Sequence, residues 1–98
     1  MNRYLMLLKF TAKGIAAIKD SPKRATAFRA AAKKAGVTLE AQYWTLGAYD
    51  GVIVLRAPDE ATAVGLAMSL GKAGNVTTCT LPALDEKAFK AGLGKMPK

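Results

Sequence analysis

Tyr49 and Asp50 place a phenol beside a carboxylate in the segment Leu46-Gly47-Ala48-Tyr49-Asp50-Gly51. At the rim of a pocket, such a pair can hold a ligand hydroxyl or exchange a proton with it. The plainer role is a turn in which Asp50 accepts bonds from nearby backbone N–H groups and Tyr49 packs. Tyr43 and Trp44 precede them, and a strand would point these rings to opposite faces. Either ring can stack on a flat ligand; packing in a core or between subunits is the simpler use. Asn75 follows Gly74 and can orient a ligand or serve as turn chemistry. Tyr43, Trp44, Tyr49, Asp50 and Asn75 are therefore the candidate ligand-binding residues, and none has the surroundings to be assigned as catalytic. Three weaker features complete the set. Ser21-Pro22-Lys23-Arg24 can hold an anion on the free N–H groups of a helix start, although a plain N-cap at Ser21 explains it as well. Cys79 has a nucleophile's atom, yet a strand cysteine is usually a small buried hydrophobe. Thr11, Lys13 and Gly14 lack the spacing of a phosphate-binding loop.

Composition narrows the chemistry. The chain has 98 residues, no histidine and a single cysteine. A Ser-His-Asp triad, a histidine general base and a structural zinc site are excluded, and no cofactor is expected. One cysteine permits no intrachain disulfide, which suits a reducing compartment. The N-terminal apolar run stops at Lys9, too short for a signal peptide, and no stretch approaches the ~20 apolar residues of a membrane span. A cytoplasmic protein is the expectation. The net charge is +8, with a basic concentration between Lys9 and Lys34. Without interleaved aromatics or a nucleic-acid motif, that face reads as solvated helix surface rather than a nucleic-acid footprint.

The elements that must position these residues follow from patterning. Val52-Ile53-Val54-Leu55 is an unbroken apolar run rich in β-branched residues, fenced by Gly51 and Pro58. It predicts a strand buried on both faces. The segment from Arg3 to Phe10 alternates Tyr4, Met6, Leu8 and Phe10 with Arg3, Leu5, Leu7 and Lys9, so it too is apolar on both faces at its middle. The segment from Val37 to Trp44 alternates loosely, with Val37, Leu39, Ala41 and Tyr43 on one side and Thr38, Glu40, Gln42 and Trp44 on the other; it predicts a half-wet edge strand. Residues 75–81 are threonine-rich and predict the second edge.

A short helical turn is expected within residues 11–20. A helix follows from Ser21 to about Ala35, with Ala25, Phe28, Ala32 and Ala35 inward and Lys23, Arg24, Lys33 and Lys34 outward. A second helix spans about residues 60–72, capped by Asp59, with Ala63, Leu66, Ala67 and Leu70 inward and Val64 and Met68 widening the stripe. Residues 85–98 form a C-terminal tail with a short helix anchored by Phe89.

The order strand, helix, strand, strand, helix, strand predicts one α+β domain over residues 1–98. It is ferredoxin-like βαββαβ, with an antiparallel four-stranded sheet in the order 4-1-3-2. That order centres the two strands that are apolar on both faces. Both helices of such a fold cover one side of the sheet, leaving Leu5, Leu7, Val52 and Val54 on the other. Burial of each is worth ~1.5–3 kcal/mol, which is too much to leave in water. A two-fold dimer with sheets face to face is the simplest cover, with the C-terminal segment folding over as the alternative.

The segments YLMLLKFTAKGI, IKDSPKRA, LGAYDGVIVLRAPDEATA and LGKAGNVTTCTL together resemble the GYD-domain family of small bacterial and archaeal proteins, over residues 3 to about 84. The resemblance implies a dimeric α/β-barrel fold and no established activity; the strong basic balance departs from the family. The turn and strand also look like the effector-binding domains of leucine-responsive regulators and like dimeric-barrel monooxygenases and isomerases, and fold likeness does not carry function. Three uses are open: a homodimeric small-molecule-binding module, a cofactor-independent enzyme using Tyr49, Asp50 or Tyr43 as acid or base, and an assembly or regulatory module whose basic face docks an acidic partner.

Overall fold

A computed structural model describes residues 1–98. Four strands form one antiparallel sheet: β1 (Asn2–Phe10), β2 (Thr38–Trp44), β3 (Gly51–Ala57) and β4 (Val76–Ala83). Their spatial order is β2-β3-β1-β4, the expected ferredoxin-like order read from the other edge. The helices are α1 (Ala12–Ala16), α2 (Ser21–Lys34), α3 (Glu60–Ala73) and α4 (Glu86–Gly94), with a 3₁₀ turn over Ile18–Asp20. No helix is long and apolar enough to cross a membrane.

The two central strands are the doubly apolar ones. Leu5 pairs with Val54, Met6 with Ile53 and Leu7 with Val52. The period of two then sorts their side chains. Tyr4, Met6, Ile53, Leu55 and Ala57 are buried, and they meet Phe28 and Ala32 of α2 and Ala63 and Leu66 of α3 in one core. Leu5, Leu7, Val52 and Val54 face away from that core and stay partly exposed. The alanines on α2 let the helix lie close, as expected, but Ala35 falls beyond the last turn and is exposed. Gly36 closes the helix at φ 78°, where glycine carries no Cβ penalty.

Several expectations need correction. A bulge between Leu39 and Ala41 takes Glu40 out of the β2–β3 ladder. A bulge reverses the faces beyond it. Leu39 therefore shares the helix-covered side with Gln42 and Trp44, which pair with Ile53 and Gly51, while Ala41 and Tyr43 pair with Val54 and Val52 on the open side. Cys79 is exposed, not buried; its partner across the ladder is Leu7, which places it on the open side. Helix α4 forms with Asp85 as its cap, the carboxylate accepting from Ala88 N at 2.8 Å. None of its residues is buried, so Phe89 anchors nothing within the chain. Val64 and Met68 of α3 likewise remain in solvent.

Candidate functional site

The turn between β2 and β3 is tied to the end of β1 by Asp50. Its Oδ2 accepts from Phe10 N at 2.8 Å, and its own N–H donates to Leu8 O at 2.8 Å. Thr45 N donates to Asp50 O at 2.9 Å, and the Thr45 hydroxyl donates to Tyr49 O at 2.6 Å. The carboxylate thus satisfies an amide that the ladder cannot reach, and the turn is held in one geometry. Across the same end of the sheet, Thr11 N donates to Asn75 O at 3.0 Å, and the Thr11 hydroxyl donates to Gly74 O at 2.6 Å. A Cβ added at Gly14 would overlap that Asn75 carbonyl, so the close approach of α1 to the α3–β4 connection requires glycine.

These two fastenings frame a cavity of about 330 Å³ between the sheet and helices α2 and α3. Leu8, Phe10 and Ile53 line its sheet side, and Ala25, Phe28 and Leu70 its helix side. Polar groups are few: Ser21, Arg24, Gln42, Asp50, Ser69 and Asn75. An apolar chamber with a small number of polar groups is the usual form of a small-molecule site, and this volume lies near the lower end of the ~300–1,000 Å³ range.

Of the five residues singled out from sequence, Tyr43, Trp44, Asp50 and Asn75 border this cavity and Tyr49 does not. Tyr49 is 39% exposed, and its carbonyl, rather than its phenol, holds the turn. Trp44 bridges the strand and α2, its Nε1 donating to Ser21 Oγ at 2.9 Å. Ser21 is therefore not the N-cap. Asp20 occupies the cap position without a side-chain bond, because the 3₁₀ turn runs directly into α2.

Sequence reasoning placed Arg24 in solvent, and that placement is wrong. Its Nη1 donates to Ala17 O at 3.0 Å, and its Nη2 is buried without a hydrogen-bond partner. Arg24 lines the cavity one helical turn before Phe28. Proximity to that apolar stripe was the available signal. Gln42 was missed because the β2 bulge, invisible in the pattern, turns it to the covered side; its Oε1 accepts from Arg29 Nη1 at 2.9 Å. Two carboxylates elsewhere carry clear shifts. Hydrogen bonding to Arg3 holds Glu40 below the ordinary carboxylate range, through contacts of 2.6 and 3.1 Å. Asp59 is lowered by the Thr62 hydroxyl and then by Thr62 N. Neither residue lines the cavity.

No curated protein and no solved structure matched the chain. The family model of the GYD domain matches residues 4–93, from β1 through α4 and across every wall of the cavity, and the chain belongs to the GYD-domain family.

Proposed function

We propose that the protein is a homodimer that binds a small molecule in the cavity between its sheet and helices α2 and α3. The observation that carries the reading is a chamber of about 330 Å³ whose walls are mostly apolar and whose few polar groups converge from α2, β2 and the β2–β3 turn. Binding is favoured because ligand surface leaves water there while polar groups fix orientation. Two apolar surfaces of the same chain support the homodimer. The open side of the sheet carries Leu5, Leu7, Val52 and Val54, extended by Leu81 and Tyr43. Helix α4 presents Phe89 and Leu93, four apart on one stripe, to solvent. A second copy related by a two-fold axis covers the first surface with its own equivalent.

A thermal-shift screen across metabolite classes tests the binding reading. Ala31, exposed on α2 at the cavity wall, provides a plug when replaced by tryptophan. A ligand at ~100 times its Kd stabilises by about 2.7 kcal/mol, a shift such a screen resolves. At least one class is expected to raise Tm in the natural protein and to lose that effect in Ala31→Trp. No stabilisation by any class, or equal stabilisation of both proteins, counts against the site.

A second reading, catalysis without a cofactor, is favoured by Asp50 bordering the same chamber; the Tyr43 side chain lies on the open side of the sheet. It predicts that a bound ligand is chemically altered on incubation, visible by mass spectrometry; recovery of unchanged ligand removes it.

A further inference from the structure

The cavity is poor in charge although the chain is rich in it. Of 15 basic and 7 acidic residues, only Arg24 and Asp50 line the chamber, and no lysine does. Both are already engaged by their own chain. Arg24 Nη1 donates to Ala17 O at 3.0 Å, and Nη2 is covered by protein. Asp50 Oδ2 accepts from Phe10 N at 2.8 Å, the bond that fastens the turn. The other polar side chains on the wall, Ser21, Gln42, Ser69 and Asn75, are uncharged. An ion entering such a chamber gives up water without a free counter-charge to replace it, and that desolvation is costly. The apolar wall is partly aromatic. Phe10 shares the covered side of β1 with Met6 and Leu8, Phe28 is buried on α2, and Trp44 borders the chamber from the end of β2. Aromatic rings pack against other rings in offset or edge-on geometries that a saturated ring does not match. Trp44 is the chain's single tryptophan and is 51% exposed while lining the cavity, so it stands where chamber meets solvent.

We infer that this cavity takes an uncharged aromatic molecule, a small ring body carrying at most a neutral polar group such as a hydroxyl or amide. This deepens the binding function proposed above and rests on it. Each sign of charge is opposed by a different feature. An anion meets the Asp50 carboxylate on the wall, with the Arg24 Nη2 out of reach behind protein. A cation has only Asp50 to draw it, one of whose oxygens is spent on Phe10 N, and the chain's net charge of +8 repels it on approach. A hydroxyl or amide loses less on leaving water than an ion does, and the neutral side chains of the wall are of its own kind.

The probes are 2-phenylethanol, the anion phenylacetate, the cation 2-phenylethylammonium and the saturated alcohol 2-cyclohexylethanol, each titrated calorimetrically into the full chain. Trp44 emission and methyl NMR of Leu8, Ile53 and Leu70 report the place of binding. The natural protein is expected to bind 2-phenylethanol at least ~10-fold more tightly than either ion, with changes at Trp44 and those methyls. The aromatic alcohol should exceed the saturated one by ~2–10-fold. Trp44→Leu should narrow the gap between the two alcohols and leave the gap between alcohol and ions in place. Ala31→Trp, which fills the chamber, should abolish binding of all four. Either ion binding as tightly as 2-phenylethanol overturns the uncharged assignment and leaves the cavity as a binding site. Equal binding of the two alcohols overturns the aromatic assignment in the same way. No binding of any probe, or binding that survives in Ala31→Trp, overturns both this inference and the binding function it rests on. The comparisons on the natural protein decide even if a variant fails to fold.

Discussion

The two faces of the sheet are built from the same strands and have different fates. On one face Met6, Ile53 and Leu55 are at most 1% exposed beneath α2 and α3. On the other, Leu5, Leu7, Val52 and Val54 alternate with them and remain partly exposed, with Tyr43 62% and Leu81 41% exposed beside them. The difference lies not in residue type but in coverage. A chain of this size supplies two long helices for one side and leaves the other to whatever the protein meets. The covered face also opens, at its turn end, into the cavity. One side of the sheet thus combines core and cavity, and the other has the composition of a core without its cover.

The largest effect should separate neighbours on β3. Leu55→Ala removes a fully buried side chain and should cost ~2–5 kcal/mol in urea unfolding. Val54→Ala, one residue away on the open side, should cost less, and under the proposed homodimer its cost should grow with protein concentration. Equal, concentration-independent losses would erase the distinction between the faces. Next, Gly14→Ala drives a methyl into the Asn75 carbonyl that closes the covered end. A loss of ~1–3 kcal/mol is expected, and a neutral result would mean that the α1 approach is looser than described.

Val52→Lys puts a charge on the open face. It should shift the sedimentation coefficient to that of one chain while the far-ultraviolet circular dichroism stays unchanged; loss of the helical signal instead would show that this face belongs to the monomer's own core. The smallest effect is at Asp59, whose carboxyl is lowered by its bonds to Thr62. A carboxylate with a depressed folded pKa contributes stability above its unfolded pKa and loses it as pH falls through the folded value. Asp59→Ala should therefore lower Tm slightly at neutral pH and flatten the acid limb of Tm against pH. An unchanged limb would remove Asp59 as a source of that dependence.

Much of the frame was legible in residue order. The unbroken apolar stretch at Val52–Leu55 and the apolar middle of β1 identified the central strands, and their centring dictated the sheet order. Asp59 and Gly36 marked helix ends because capping and positive φ are local chemistry. The site was less legible. The β2 bulge at Glu40 is a backbone irregularity that the residue pattern does not mark, so period counting carried the wrong face past it. Arg24 was assigned to solvent by type, whereas the 3₁₀ turn before α2 brings the Ala17 carbonyl within reach and draws the guanidinium inward. Tyr49 and Asp50 look like a pair in the sequence, yet one lies outside the cavity and the other on its wall.

Sedimentation equilibrium across a wide concentration range tests the two-faced account most directly. A mass of twice the 10.3 kDa chain, falling to one chain in Val52→Lys, is the predicted result. A single-chain mass for the natural protein at every concentration would contradict it, because the apolar side of the sheet would then stand in water unaided.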